Sequence, residues 1–147
     1  MDLVTANHDS SDVSVLLNKG NGTFYPAASY PMGNRAEAVT TGDFNRDGRI
    51  DLAVGGEKQI AILLGRGDGT FESASTYPAP GPVTYLTEAD LRGTGIEDLL
   101  SVNTDFADLA FSNKIYLLSG RGRGHLCRIR LDRRWRQPVP GDRGGLQ

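Results

Sequence analysis

Oxygen-bearing side chains occupy alternate positions in one short stretch of the sequence. Asp43, Asn45 and Asp47 are its first, third and fifth residues, and Asp51 is the ninth. Calcium binds about six to eight oxygen ligands at about 2.3 to 2.6 Å, and a tight loop of alternating side chains gathers such oxygens around one point. We therefore predict a calcium site with side-chain oxygens from these four residues and the backbone carbonyl oxygen of Arg49.

Two features of the stretch bear on this interpretation. Gly48 is the sixth residue, where it allows the positive φ that turns the chain around an ion. The spacing matches the first half of an EF-hand, but the twelfth residue is Val54 instead of Glu, and no helical pattern flanks the loop. The alternative is an acidic β-turn that binds nothing, because Asp, Asn and Gly also favour turns.

Two related loops have poorer ligand sets. Asp90 and Asp98 are the first and ninth residues of one, but Arg92 and Thr94 replace the third and fifth ligands. We expect this loop to be metal-free, with the Arg92 guanidinium lying between the two carboxylates in place of an ion. In the other loop only Asp2 remains, at the ninth position.

These loops belong to an internal repeat. The string VLLNKGNGTF at 15–24 superposes on ILLGRGDGTF at 62–71 with a shift of 47 residues, and the same shift takes Asp51-Leu52 to Asp98-Leu99. Asp2-Leu3 lies 49 residues before Asp51-Leu52. One unit of about 47 residues therefore recurs nearly three times. We place the units near 1–33, 34–80 and 81–120.

Each unit alternates apolar and polar residues with the period of a β-strand, and Gly, Asn, Asp and Pro separate the strands. For the central unit we predict four strands, near 36–44, 50–56, 59–65 and 71–78. Four antiparallel strands per repeat of this length are typical of a β-propeller blade. The predicted fold class is thus all-β, a partial array of fewer than three blades. A β-sandwich or barrel is the alternative, although neither requires a repeat.

Two strings identify a family resemblance: Thr41 to Val54, and Leu63 to Phe71. They resemble the FG-GAP and VCBS repeats, which occur in integrin α-chain propellers and many bacterial surface proteins. The resemblance covers about residues 1–120. It implies a propeller with calcium in loops between strands, an extracellular or cell-surface location, and a protein or carbohydrate ligand. Because propellers close with about four to eight blades, we expect a piece of a longer protein.

No catalytic arrangement is evident in the sequence. His8 and His125 have no suitably spaced partners, and no nucleophile and base can be paired. The Gly-Asn-Gly and Gly-Asp-Gly strings predict hairpin turns followed by Phe24 and Phe71, which pack between blades. We expect a non-enzymatic module; alternatively, the blades are an accessory part of a secreted enzyme whose catalytic part lies elsewhere.

Charge divides the chain into two parts. Residues 1–120 have a net charge of −8 and residues 121–147 a net charge of +6, which together make the −2 of the whole chain. No apolar run is long enough for a membrane-spanning helix, and the N-terminus has no secretory-signal pattern. The single cysteine, Cys127, excludes an intrachain disulfide.

The Arg-rich tail at 121–147 begins where the repeat predicts another Gly-Asp-Gly-Thr-Phe. Suitable codons for 121–127, read one base later, encode Gly-Asp-Gly-X-Thr-Phe-Ala. We therefore hypothesise that the tail is a frameshifted translation, disordered or poorly packed. The alternative is a basic arm for nucleic acid or anionic surfaces, with eight Arg and Trp135. We expect no nucleic-acid partner.

Overall fold

The computed structural model describes residues 1–91, 93–104, 113–120 and 126–131. All regular secondary structure in these ranges is β-strand, and no helix there is long and apolar enough to cross a membrane. The eleven strands are β1 (Leu3–Asn7), β2 (Asp12–Leu16), β3 (Ala28–Pro31), β4 (Ala36–Gly42), β5 (Asp51–Gly56), β6 (Gln59–Leu63), β7 (Ser75–Pro78), β8 (Val83–Ala89), β9 (Asp98–Thr104), β10 (Asn113–Gly120) and β11 (Leu126–Leu131).

The strands form three antiparallel sheets, which we call the first, second and third blades. Their strand orders are β1-β2-β3, β4-β5-β6-β7 and β8-β9-β10-β11. Within each blade, every strand pairs with its neighbour in sequence, and within the described ranges the sheets do not close into a barrel. This confirms the predicted all-β fold class of antiparallel blades. Strand β11 continues the third blade into the range that we assigned to the tail.

The second blade is buried on both faces because a blade lies on each side of it. Every residue of β5 is buried, and so are residues 60–63 of β6. Leu52 and Val54 pack in one apolar cluster with Val13 and Val15 of the first blade. Ala53, between them in sequence, packs in a second cluster with residues of the third blade. Alternating side chains of one strand thus fill two interfaces.

The strands of the second blade follow the prediction except at its last strand, which begins at Ser75 instead of 71. Before it, the backbone turns through Gly67 and Gly69, which both have positive φ, and Phe71 makes only an isolated bridge to Gly65. Phe71 then packs edge-on against Tyr30 of the first blade, with ring centroids 5.6 Å apart. Hairpin turn and interblade packing are therefore both confirmed here.

Candidate metal loop

The predicted calcium loop lies between β4 and β5, so its setting is strand, loop, strand. Arg46 and Gly48 adopt left-handed backbone, with φ of 62° and 79°. Gly93 and Gly95 do the same at the fourth and sixth positions of the third-blade loop, with φ of 63° and 68°. The sequence analysis predicted a positive φ only at the sixth position of the loop. The glycine at the fourth position of the third-blade loop, Gly93, could have indicated a positive φ there as well.

Three of the predicted ligands come together around the loop backbone. The Asp47 N–H donates to Asp43 Oδ1 at 3.0 Å and to Asn45 Oδ1 at 2.8 Å, so these oxygens lie beside one nitrogen atom. Asp43 Oδ2 accepts from the Gly48 N–H at 2.9 Å, and Asp47 Oδ1 accepts from the Arg49 N–H at 2.8 Å. The backbone N–H groups thus gather the side-chain oxygens of Asp43, Asn45 and Asp47 on one loop.

The fourth predicted side-chain ligand, Asp51, also anchors the loop. Its carboxylate is fully buried and accepts from the Gly65 N–H at 2.8 Å and the Phe44 N–H at 3.0 Å. Burial raises the pKa of Asp51, these two hydrogen bonds oppose the rise, and the charges of Asp47 and Asp43 add to it. The Asp51 carboxylate therefore holds the loop to the backbone just after β6. It is also close enough to the Asp43 and Asp47 carboxylates for their charges to affect its pKa.

The anchoring contact recurs in the first blade, and the loop geometry recurs in the third. Asp2 Oδ1 accepts from the Asn18 N–H at 2.8 Å, the counterpart of the Asp51 contact with Gly65. In the third blade, Asp90 accepts from the Thr94 N–H at 3.0 Å and the Gly95 N–H at 2.6 Å. In both loops the first Asp therefore accepts from the backbone N–H groups four and five residues later. The predicted role of Arg92 lies outside the described residues.

The third blade contributes a carboxylate to the second-blade loop that sequence reasoning missed. Glu97 Oε2 accepts from the Asp43 N–H at 2.7 Å. A Cβ at Gly42 would lie 2.2 Å from the same oxygen, so glycine is needed there for the approach. The repeat offered no signal for Glu97, because its counterpart in the second unit is Ile50, which is exposed.

The donor set of the loop fits a hard cation. Asp43 and Asp47 bear only oxygen donors, and Asn45 offers its amide oxygen while its Nδ2 donates to Asp47 Oδ2 at 2.9 Å. A carboxylate oxygen that accepts one N–H keeps a further lone pair. In the part of the chain that the structure describes, no three His, Cys, Asp or Glu side chains form a group that could hold a metal. The structure therefore brings Asp43, Asn45 and Asp47 together on the loop but does not place Asp51 with Asp43 and Asp47 in one group of three carboxylates.

His8 belongs to a different part of the molecule. It lies in the turn between β1 and β2, with Nδ1 2.8 Å from Asp9 and Nε2 3.4 Å from Glu37 of the second blade. It contacts two carboxylates and bridges two blades. His125 lies outside the described residues.

Comparison with known families agrees with the repeat seen in sequence and structure. The family model for the FG-GAP-like repeat matches residues 1–54 and 43–101, which together cover more than two thirds of the chain. Neither the curated proteins nor the solved structures contain a match. The resemblance inferred from the two sequence strings is therefore confirmed, and the chain belongs to the FG-GAP-like repeat family.

Proposed function

We propose that this chain is a calcium-binding module of the β-propeller repeat type, serving as a structural and ligand-binding part of a larger extracellular protein. The observation that carries the proposal is the convergence of oxygens on the backbone of the Asp43 to Asp51 loop. One side chain that accepts a hydrogen bond from the loop backbone is enough to form an acidic turn. In this loop three side chains do so, those of Asp43, Asn45 and Asp47.

The chain's own residues would divide the work at the site. Asp43, Asn45 and Asp47 would provide side-chain oxygens, Arg49 its carbonyl oxygen, and Asp51 a carboxylate from the buried end of the loop. Bound calcium would supply positive charge where carboxylates repel one another. Burial is the main cause of the raised pKa of Asp51, and the charges of Asp47 and Asp43 add to the rise, which is consistent with that repulsion. The ion would hold β4 and β5 in register at the loop that connects them.

A calcium titration of the melting temperature of the full chain tests the site. Binding to the folded state should stabilise it by about 2.7 kcal/mol when free calcium is a hundred times its dissociation constant. Asp47→Ala should lose most of this gain, because it removes a charged ligand. Asp68→Ala is the matched control, since Asp68 closes a turn in the same way, accepting from the Thr70 N–H at 2.9 Å, but lies in a hairpin.

Two results would contradict the proposal. A parent chain that shows no calcium-dependent shift at millimolar concentration binds no calcium in this range. If Asp47→Ala responds as strongly as the parent, or if Asp68→Ala loses the response equally, the ion is not held by this loop.

The third-blade loop offers a gain-of-function experiment. Asp90 already makes the backbone hydrogen bonds that Asp43 makes, so the loop lacks only the third and fifth ligands. Arg92→Asn with Thr94→Asp supplies both. Isothermal titration calorimetry should then report one more bound calcium per chain than in the parent, and an unchanged stoichiometry would show that loop geometry and ligands do not suffice.

The partner and location rest on the family resemblance alone. We propose a protein or carbohydrate ligand at the surface of the parent protein, outside the cell. Screening the calcium-loaded chain on a glycan microarray tests the carbohydrate class, and fractionation of the source cells with an antibody to the chain tests the location. Recovery from the cytosolic fraction alone would contradict the extracellular proposal.

A further inference from the structure

Strand β1 has one unpaired edge in the part of the chain that the structure describes. It pairs with β2 alone, whereas its repeat counterparts pair on both edges, β5 with β4 and β6, and β9 with β8 and β10. The N–H and C=O groups along such an edge can form hydrogen bonds with a further extended strand. The first blade therefore has a position for a strand beside β1.

The neighbours of this position belong to the second blade. Strand β1 contacts β4 as β5 contacts β8, and β4 in turn contacts β8. A strand paired with β1 would therefore lie against β4 in the way that β4 lies against β8.

A cavity of about 540 Å³ lies beside the same edge, between the first and second blades. Residues 2–4, at the start of β1, line it, so the cavity and the unpaired edge are continuous. Its apolar walls come from both blades, with Val15 and Leu17 on one side and Leu52 and Phe71 on the other. We call the unpaired edge and this cavity together the β1 groove.

Phe44 fills the corresponding position between the second and third blades. It follows directly after the end of β4 and its loop residue Asp43, and its side chain is 1% exposed. It packs in one cluster with Ala53, Ile62 and Leu99. These three cluster members occupy the repeat positions of Val4, Val15 and Leu52, which line the β1 groove. A strand that resembles β4 would therefore place an aromatic side chain in the cavity.

The pairing of β4 with β5 specifies how such a strand would lie on β1. Thr41 of β4 pairs with Leu52 of β5, and Leu52 occupies the repeat position of Leu3. A strand bound in the same register would place its own counterpart of Thr41 opposite Leu3. Its aromatic residue, three positions later, would then enter the cavity, as Phe44 does one repeat further on.

Ile50 provides exposed apolar surface at the groove. It lines the cavity and is 60% exposed, although it belongs to the large apolar residues. Its repeat counterpart is Glu97, which contacts the segment that follows β4 through the Asp43 N–H. A segment bound in the β1 groove would therefore cover Ile50 at the position where Glu97 meets its neighbour.

We propose that the β1 groove binds an extended segment of the larger protein, which pairs with β1 and inserts an aromatic side chain between the first and second blades. Backbone hydrogen bonds to the edge provide affinity, and the cavity selects the aromatic residue. The first blade is thereby completed as β4 completes the second. The proposal rests on the proposed function only for the existence of a larger parent protein, and it requires no calcium.

A synthetic peptide with the sequence of residues 38–46 is the probe, because it contains the end of β4 and Phe44. Fluorescence anisotropy of the labelled peptide, titrated with the full chain in buffer that contains a chelator, measures binding without any contribution from calcium. We expect saturable binding of one peptide per chain. The control peptide with Phe44→Ala should bind about ten-fold more weakly, because it leaves the cavity unfilled. Absence of binding at millimolar concentration, or equal affinity of the two peptides, would overturn the proposal.

Disulfide trapping tests the register. The chain with Leu3→Cys in a Cys127→Ser background is mixed with a peptide that contains either Thr41→Cys or Thr40→Cys, in a glutathione redox buffer. Side chains of directly paired residues are close enough for a disulfide, whereas those of adjacent residues point to opposite faces. Intact-mass spectrometry should show a mixed disulfide mainly with Thr41→Cys. Equal trapping of the two peptides, or preference for Thr40→Cys, would overturn the proposal.

Sedimentation velocity decides whether a second copy of the chain takes this position instead. We expect the parent chain to be a monomer that binds the peptide. A parent dimer that the peptide does not dissociate would overturn the proposal, since the β1 edge would then be covered by its own kind.

Discussion

Replacing Phe44 with alanine should be among the most destabilising single changes in the described residues. The Phe44 side chain is 1% exposed and packs in the cluster shared by the second and third blades, with Ile62 and Leu99 among its neighbours. A buried aromatic ring removes about 150 to 250 Å² from water. At about 25 cal/mol per Å² this area corresponds to about 4 to 6 kcal/mol. The range overlaps the cost of about 3 to 5 kcal/mol that Phe→Ala changes have in protein cores.

The repeat provides a matched control for this change. Leu91 follows Asp90 as Phe44 follows Asp43, but its side chain is 53% exposed. Leu91→Ala removes little buried area and should cost less than about 1 kcal/mol. The pair thus compares one repeat position with and without a blade packed over the side chain.

Urea unfolding followed by far-UV circular dichroism measures both costs. The buffer should contain a chelator, so that changes in calcium affinity do not enter the comparison. We expect the Phe44→Ala midpoint to fall far below that of Leu91→Ala, with similar slopes. Equal losses of stability would refute the packing of the second blade on the third as described.

Three further changes follow from individual contacts. Gly69→Ala should destabilise the fold more than Gly22→Ala, although the two glycines have nearly equal φ of 86° and 84°. A Cβ at Gly69 would lie 2.6 Å from the Leu17 side chain, whereas a Cβ at Gly22 would meet nothing within 4 Å. The urea midpoints of the two variants measure the difference. Hydrogen bonds from Ser10, Ser29 and Asn7 lower the pKa of Asp12 below its usual 3.8. The ionised Asp12 side chain therefore stabilises the folded state fully above pH 3.8, and this contribution is lost as the pH falls through the lower pKa of the folded state. Between pH 6 and pH 3 the parent should therefore lose more stability than Asp12→Asn, and equal losses would contradict this. Glu97→Ala should cost about 1 to 3 kcal/mol by leaving a backbone N–H without its acceptor, whereas Glu97→Gln keeps an acceptor oxygen and should cost less, as urea unfolding would show.

Sequence reasoning succeeded where the determining interactions are local or repeated. Alternation predicted the strands of the second blade, and the 47-residue repeat predicted that similar sheets recur along the chain. The turn from Asp43 to Asp47 could also be predicted, because its hydrogen bonds join residues that are at most five positions apart. In such segments the residues themselves determine the turn.

Prediction failed where a contact depends on the packing of distant strands. The anchoring role of Asp51 requires the Gly65 N–H, 14 residues away, and thus the register of β5 against β6. The contribution of Glu97 requires one blade to lie against the next. The left-handed backbone of Arg46 was missed because a long charged side chain is an uncommon residue at positive φ. Metal ligation by Asp43, Asn45, Asp47, Arg49 and Asp51 remains a prediction.

The bond between Glu97 and the Asp43 N–H also has a consequence for biosynthesis. Its two residues are 54 positions apart, and the acceptor belongs to the blade that the ribosome makes later. At about 5 to 20 residues per second, translation separates them by about 3 to 11 s. During that interval the second blade can pair its strands, but its loop lacks the contact that holds its first backbone N–H. The loop of the second blade is therefore completed only after the third blade has been synthesised.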